Sequence, residues 1–298
     1  MTRVLVAGAT GYLGGFVARE LKSRGHFLRA MGRSSERLAP LKESLDEAVE
    51  ARVTQPRTLE HLCDGVEVVF SSIGITRQRD GLTFRDVDYQ GNKNLLDVAL
   101  RAGVRRFVYV SVFNGPRLRH LDIVDAHEAF VDELEASGID YTVLRPTGYF
   151  SDMGQFLQMA RRGRVWLIGP GGNRVNPIHG ADLAAPCADA VEGGGREIDV
   201  GGPDVMTWQE VAALAFRVLD RPARVTHVPV ALMWAVVRVA RLFSRHQGEL
   251  LAFFTTMATT DVVAPATGTH TLETHFRELG AGPRRPGHTP SRADRGSG

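Results

Sequence analysis

Short apolar runs of strand length alternate with longer segments of helical periodicity over the first half of the chain. The runs at 4–6, 66–70 and 107–110 carry apolar side chains on both faces, as strands do when helices cover each side of a sheet. This alternation predicts βα units and hence an α/β fold with a doubly wound parallel Rossmann-type sheet. The predicted strands are Arg3–Ala7, Phe27–Met31, Val66–Ser71, Arg106–Val110 and Tyr141–Leu144, and the predicted helices are Tyr12–Ser23, Gly91–Ala102 and Ala126–Ser137.

The pattern changes after about residue 163. Residues 163–202 are rich in glycine and short strands, and Thr207 followed by Glu210 forms a capping box that predicts a helix up to Leu219. We therefore expect a Rossmann domain over 1–160, a smaller mixed C-terminal substrate lobe, interleaved with it, over 161–280, and a disordered basic tail over 281–298.

Charge and cysteine content narrow the classes of partner. The 36 basic and 34 acidic side chains are interspersed, which argues against nucleic acid as the main partner. The two cysteines, Cys63 and Cys187, lack metal-ligand spacing, so we expect neither a metal site nor a disulfide framework. With no secretory signal at the N-terminus, these features predict a cytoplasmic protein.

The apolar stretch from Val228 to Phe243 is interrupted by Arg238 and Arg241 and is shorter than the roughly 20 residues that span a bilayer. We expect an amphipathic helix packed on the domain or on a subunit partner. A position on a membrane surface is the alternative. The sequence leaves monomer and homodimer open.

The glycine motif that follows the first predicted strand is the clearest functional signal. Gly8 permits a tight turn, Gly11 lets the backbone approach a pyrophosphate, and Gly14 lets helix and strand pack closely. The helix N-terminus then offers its N–H groups to the phosphates. The motif predicts dinucleotide binding by Gly8, Thr10, Gly11, Tyr12, Leu13 and Gly14.

The end of the second strand bears on which dinucleotide binds. NAD-specific sites carry an acidic residue there for the ribose 2′-hydroxyl, but this chain has Arg33 and Ser34. A guanidinium pairs with a 2′-phosphate, and the serine hydroxyl can add a hydrogen bond. The sequence therefore favours NADP(H) over NAD(H), unless Arg33 is an ordinary loop cation.

Together with this glycine motif, four further segments make residues 3 to 220 resemble the atypical, extended-like short-chain dehydrogenase/reductases of the NmrA-like NAD(P)-binding group. They are DYQGNKNL at 88–95, GVRRFVYVS at 103–111, SGIDYTVLRP at 137–146 and NPIHGADLA at 176–184. The resemblance implies that Ser72, Ile73 and Gly74 border the cofactor ribose and that Ser111 lies near the nicotinamide. It also implies that Pro146, Thr147 and Tyr149 line the nicotinamide and substrate edge.

The catalytic pair of that family is missing. Ordinary members carry Tyr-x-x-x-Lys, in which the lysine holds the nicotinamide ribose and the tyrosine gives a proton to a carbonyl oxygen. The corresponding positions here are Ile123 and His127. Standard alcohol/ketone chemistry therefore cannot simply be carried over.

Three residues are the candidates for catalysis. His127 would bind the nicotinamide ribose and relay a proton, or else is a surface histidine. Tyr149 would reach the substrate or form an aromatic wall, and Ser111 would donate to a substrate oxygen or simply end its strand. Outside this set, we expect Arg77 and Arg79 either to select an anionic substrate group or to be solvated loop cations. We expect Asp182 to cap a helix.

The function expected from these features is an NADPH-dependent reductase that transfers a hydride to a small organic acceptor. Without the tyrosine acid, quinones and enones are favoured over simple carbonyl compounds, since their reduced products are stabilised anions. A non-catalytic NADP(H)-binding redox sensor is the first alternative. An epimerase or dehydratase of nucleotide-linked sugars is the second, although it would need the missing pair.

Overall fold

A seven-stranded parallel sheet forms the centre of the computed structural model, which describes residues 1–74 and 81–281. The strands of this sheet run in the order β3-β2-β1-β4-β5-β6-β9. In chain order, the strands of the described residues are β1 (Arg3–Ala7), β2 (Phe27–Gly32), β3 (Glu47–Glu50), β4 (Val68–Ser71), β5 (Arg106–Val110), β6 (Asp140–Pro146), β7 (Val165–Ile168), β8 (Arg174–Val175), β9 (Glu197–Val200), β10 (Met206–Thr207) and β11 (Val225–Val228).

Helices connect these strands and cover both faces of the sheet. They are α1 (Tyr12–Ser23), α2 (Ser35–Leu38), α3 (Asn92–Arg101), α4 (Asp122–Ser137), α5 (Phe150–Arg161), α6 (Gly180–Glu192), α7 (Trp208–Val218), α8 (Val230–Phe243), α9 (Arg245–Thr259) and α10 (Leu272–Ala281). A π-helical segment, Arg85–Gly91, leads directly into α3.

The strand order places a topological switch between β1 and β4. From β1 the chain proceeds outward through β2 and β3, and from β4 it proceeds the other way through β5 and β6. At the carboxyl edge Ala7 of β1 lies beside Ser71 of β4. In open α/β sheets ligands bind in the crevice at this point, outside the carboxyl ends of the strands.

Two apolar cores, one on each face, confirm the predicted doubly wound sheet. Val4 and Val6 of β1 pack with α1 and α6 on one face. Leu5 and Ala7 pack with α3 and α4 on the other face. Since successive side chains of a strand point to opposite faces, a run such as 4–7 must be apolar throughout.

The C-terminal part forms a third apolar cluster from α5, α7, α10 and strand β7. The predicted capping box is confirmed: Thr207 Oγ1 accepts a hydrogen bond from the Glu210 amide at 3.2 Å, and Glu210 Oε2 accepts one from the Thr207 amide at 2.7 Å. Helix α6 and strand β9 nevertheless return to the main sheet. The division near residue 160 therefore stays a prediction, and 282–298 lie outside the described residues.

Strand β3 was not predicted, and helix α8 was predicted without its partner α9. Strand β3 lies at the sheet edge and has only two apolar residues, between Glu47 and Glu50, so its apolar signal is short. The apolar helix α8 does form, but it pairs with α9 as a hairpin, and Val237 is its one buried residue. Within residues 1–74 and 81–281, no helix is long and apolar enough to cross a membrane.

Candidate cofactor and active site

The turn between β1 and α1 can form only with glycine at two of its positions. Gly8 has a φ of +91°, a conformation that residues with a Cβ rarely adopt. A Cβ at Gly14 would lie 2.1 Å from the carbonyl oxygen of Gly8, so α1 and the turn touch directly. Gly11 caps α1 without a side chain, and the first turn of the helix contains no acidic residue.

The start of α1 therefore fits a pyrophosphate. The first N–H groups of a helix lack intrahelical partners, and the helix dipole favours an anion there. Thr10 is exposed in this turn, whereas Leu13 lies in α1 and is buried in the core.

Tyr12 and Tyr149 form an aromatic wall beside the turn. The Tyr12 hydroxyl accepts a hydrogen bond from the Gly180 amide at 3.1 Å, which joins the N-termini of α1 and α6. The rings of Tyr12 and Tyr149 lie 5.7 Å apart, centroid to centroid. Burial raises the pKa of the half-buried Tyr149, so its phenol carries its proton at neutral pH.

The segment that ends β6 is tied to the loop before α6. Pro146 is the last residue of β6, and the Thr147 hydroxyl donates to the carbonyl oxygen of Asn176 at 2.6 Å. Asn176 is fully buried and also donates to the carbonyl oxygens of Gly202 and Ala264. These hydrogen bonds fix the loop that carries Tyr149 at the edge of the sheet.

The loop after β4 lies against the glycine turn. A Cβ at Gly8 would lie 2.8 Å from Ser72 Oγ, and the Ser72 amide donates to the carbonyl oxygen of Ala7 at 3.0 Å. Buried Asn92 supports the loop from below: its Oδ1 accepts from Ser71 Oγ at 2.6 Å, and its Nδ2 donates to the carbonyl oxygen of Ile73 at 3.2 Å. The loop of residues 72–74 therefore lies beside the glycine turn, with Ile73 packed against the core of α3 and α4.

His127 is buried, so the alternative of a surface histidine is wrong. Its Nδ1 lies 2.6 Å from the hydroxyl of Tyr109, and its Nε2 lies 3.1 Å from Oδ1 of Asp88. The Tyr109 ring is fully buried, and burial raises the pKa of its phenol well above its usual value. A Cβ at Gly74 would lie 3.3 Å from Cε1 of His127, which places the imidazole directly under the loop of residues 72–74.

Ser111 belongs to a second buried network. Its hydroxyl donates to Oε1 of Glu128 at 2.7 Å, and Glu128 forms a bidentate ion pair with Arg145 at 2.5 and 3.0 Å. Side-chain exposure is 1% for Glu128 and 3% for Arg145. Its oxygen also accepts a hydrogen bond from Nη1 of Arg145 at 3.4 Å. Ser111 can therefore accept one further hydrogen bond from a ligand, but its proton is directed at Glu128.

Ile123, at the family's tyrosine position, is buried in an apolar cluster with Phe84, Val237 and Ala252. The α8–α9 hairpin thus packs against the start of α4, where the family's acid would project.

Gly32 is buried at the end of β2, and a Cβ there would lie 2.8 Å from Cγ of Leu38. Arg33 is exposed, and Ser34 caps the short helix α2. Arg77 and Arg79 fall outside the described residues. Asp182 lies within the first turn of α6, which His179 caps, and it accepts hydrogen bonds from the amides of residues 269 and 270.

Metal chemistry finds no support in the part of the chain that the structure describes, where no group of three or more His, Cys, Asp or Glu side chains could hold a metal ion. No role was predicted from the sequence for five buried polar residues of this site: Asp88, Asn92, Tyr109, Glu128 and Arg145. The sequence pattern does indicate Glu128, because it is a charged residue on the apolar face of α4, where Val124 and Val131 are also buried.

Comparison with known proteins identifies a family. A family described as NAD(P)H-binding matches residues 8–192. The chain is 30% identical over 251 residues to photosystem II assembly factor Ycf39 of Synechocystis sp., covering 82% of this chain and 74% of that protein. It is 26% identical to the chloroplastic divinyl chlorophyllide a 8-vinyl-reductase of Oryza sativa subsp. indica, covering 93% of this chain and 78% of the reductase.

Solved structures share the fold. The NADPH-dependent quinone oxidoreductase QOR2 from Escherichia coli, complexed with NADPH, superposes with a TM-score of 0.71 at 21% identity. The match covers 94% of this chain and 99% of that one.

Proposed function

Because the chain belongs to the NAD(P)H-binding family and is an oxidoreductase of the atypical short-chain dehydrogenase/reductase type, we propose that it is a cytoplasmic NADPH-dependent reductase. It transfers a hydride to a small organic acceptor: a quinone, an enone or a carbonyl compound. The observation that carries this proposal is the arrangement at the switch point. There the glycine turn, the loop of residues 72–74 and the end of β6 meet without the family's catalytic tyrosine.

The preference for NADPH rests on the loop after β2. Arg33 and Ser34 occupy the place where an NAD-specific site presents a carboxylate. An exposed guanidinium can form a bidentate pair with a 2′-phosphate. The helix N-terminus and the glycine turn receive the pyrophosphate, which is common to both dinucleotides.

The acceptor class follows from the position of Ile123. With an apolar side chain there, position 123 cannot give a proton to an isolated ketone as the family's tyrosine does. Quinones and enones give delocalised anions after hydride addition, and these can be protonated by a weaker acid. Two similar proteins support this choice, since one is named for the reduction of a vinyl group and the other for quinone reduction.

Each candidate catalytic residue takes a different role in this proposal. A bound reduced nicotinamide supplies the hydride. Tyr149, protonated and half-buried at the crevice, donates a hydrogen bond to the acceptor oxygen. Ser111 accepts a hydrogen bond from the carboxamide or substrate, and His127 supports the ribose from below the Ser72–Gly74 loop, held by Asp88 and Tyr109.

A non-catalytic NADP(H) sensor is the second candidate, and one observation favours it. Both ring nitrogens of His127 and the proton of Ser111 are engaged by protein groups. Such a site can bind the cofactor while offering few groups for proton transfer. Similarity to a protein named as an assembly factor points the same way.

The experiment that separates these functions starts with fluorescence titration of the purified protein with NADPH and NADH. Decay of the reduced-nicotinamide absorbance is then followed with a panel of quinones, enones and ketones. We expect tighter binding of NADPH and consumption with quinones or enones. Tight binding without consumption of any acceptor would contradict the reductase and favour the sensor. Failure to bind either nucleotide would contradict both functions.

A matched pair of variants tests the proton donor. Tyr149→Phe keeps the aromatic wall and removes the hydroxyl, whereas Tyr12→Phe removes the neighbouring hydroxyl that is already bonded to Gly180. We expect Tyr149→Phe to lower kcat by at least about tenfold with NADPH affinity unchanged. Equal turnover of Tyr149→Phe and the wild type would remove Tyr149 from the mechanism.

A further inference from the structure

Helix α8 presents a continuous apolar stripe to solvent. Five residues fall on one side of the helix, opposite the buried Val237, at spacings of 4, 3, 3 and 1 positions: Leu232, Val236, Val239, Leu242 and Phe243. Exposure is 54% for Leu232, 53% for Val239, 83% for Leu242 and 87% for Phe243. Isolated exposed leucines are ordinary on protein surfaces, but a row of this kind over three turns marks an interaction surface.

The hairpin holds this stripe in a fixed orientation. Val237 is fully buried against the cluster that α9 and α4 share. Where the helices cross, a Cβ at Gly248 would lie 2.4 Å from Cγ of Arg241, so α8 and α9 are in close contact. The two most exposed side chains, Leu242 and Phe243, lie at the end of α8, next to the turn into α9.

Positive charge accompanies the stripe. Residues 229–248 contain Arg238, Arg241 and Arg245 and no aspartate or glutamate. Arg241 pairs with Glu249 and Arg245 pairs with Asp122, both outside this segment. Arg238 forms no ion pair with an acidic side chain of residues 1–74 or 81–281 and lies on the exposed surface of α8.

The chain's own terminal segment is a poor match for this surface. Residues 282–298 contain four arginines and one aspartate, and alanine is their one aliphatic side chain apart from proline. Such a segment has no large apolar group to bury against the stripe and repeats its positive charge. The occupant must instead be apolar and negatively charged.

We propose that α8 binds in the plane of an anionic lipid bilayer, with the stripe among the acyl chains and Arg238 at the headgroups. The helix has 14 residues, about 21 Å in length, and so cannot span a hydrocarbon core of about 30 Å. Apolar side chains beside arginines are the pattern of interfacial helices. A second copy of the chain fits less well, because its own α8 would bring further arginines and no acid.

The test is flotation of the full-length protein with vesicles of phosphatidylcholine, alone or mixed with phosphatidylglycerol. We expect binding to the anionic vesicles that weakens as salt is added, because headgroup attraction is screened. The variant Leu242→Glu/Phe243→Glu should lower the partition coefficient by roughly a hundredfold, since two large apolar side chains no longer enter the bilayer.

Matched variants keep the outcome interpretable. Leu100→Glu changes another exposed leucine, on α3, and should leave binding unchanged. Arg238→Glu should weaken binding to anionic vesicles much more than to neutral ones, and Arg238→Lys should restore it. Cofactor titration of every variant verifies folding.

Two results would overturn the proposal. One is equal flotation of the wild type and Leu242→Glu/Phe243→Glu, or no flotation of either. The other is a dimer in lipid-free buffer, measured by light scattering, that these substitutions dissociate without any change in lipid binding.

Discussion

The two halves of the candidate site are built by different means. On the side of β1 and β2, the site consists of backbone: a positive φ at Gly8, a contact without Cβ at Gly14 and the open start of α1. On the side of β4, β5 and β6, it consists of buried polar side chains that join distant parts of the chain, such as Glu128 with Arg145.

This difference decides which substitutions disrupt each half of the site. A backbone site fails when a side chain is added, because the added atom displaces a helix from a strand. A network site fails when a side chain is removed, because its partner stays buried without compensation. Substitutions in the two halves should therefore differ in size and in the property that they change.

The largest effect is expected from Glu128→Ala. It leaves the guanidinium of Arg145 buried beside Ser111 without its main partner, which should lower the free energy of unfolding by about 3–5 kcal/mol. Urea denaturation measures this. The control is Glu197→Ala, since Glu197 pairs with the same Arg145 at 3.3 Å but is 50% exposed, and it should cost about 1 kcal/mol or less. Equal losses for the two variants would contradict a special role for the buried pair.

Gly14→Ala should come next and should affect both stability and binding. Its Cβ would meet the Gly8 carbonyl oxygen at 2.1 Å, so we expect a loss of about 1–3 kcal/mol in stability and much weaker NADPH binding. Gly15→Ala is the matched control in the same helix, because its nearest contact would be 3.6 Å away. It should be neutral or stabilising by up to about 1 kcal/mol. If both variants bind NADPH like the wild type, the contact between turn and helix does not shape the site.

The backbone half was predictable because its residues are contiguous. Strand, glycine turn and helix follow one another within 3–23, and Gly8, Gly11 and Gly14 each have a local geometric reason. The doubly wound sheet was predictable for a similar reason, since apolar runs and helical periods are local patterns.

The network half could be predicted only as a set of positions. Ser111 and His127 were identified from a resemblance, but their partners Glu128, Asp88 and Tyr109 depend on tertiary contacts over 17 to 39 positions. A glutamate on the apolar face of α4 and an arginine within the buried strand β6 did indicate a buried pair. The pattern alone could not pair them, nor show that α8 packs through Val237 alone.

Arg33→Ala should change specificity rather than stability. Loss of a charge-assisted hydrogen bond to the 2′-phosphate should weaken NADPH binding by about tenfold to a hundredfold and leave NADH binding nearly unchanged. Arg37→Ala removes an exposed arginine on α2, one turn further on, and should alter neither affinity. Parallel titrations with both nucleotides measure the ratio. Weakening of NADPH and NADH by the same factor would assign Arg33 to general attraction of phosphate.

The smallest effect is expected from Tyr109→Phe. It removes the hydrogen bond at Nδ1 of His127 but keeps the ring contacts with Phe130, so stability should fall by about 1 kcal/mol. NADPH affinity should change by less than about threefold, because the Nε2 contact with Asp88 still orients the imidazole. His127→Ala removes both contacts and should weaken NADPH binding several times more. A Tyr109→Phe enzyme that binds NADPH normally but loses turnover would instead make the buried chain Tyr109–His127–Asp88 a path for the proton, which joins the network half of the site directly to the chemistry.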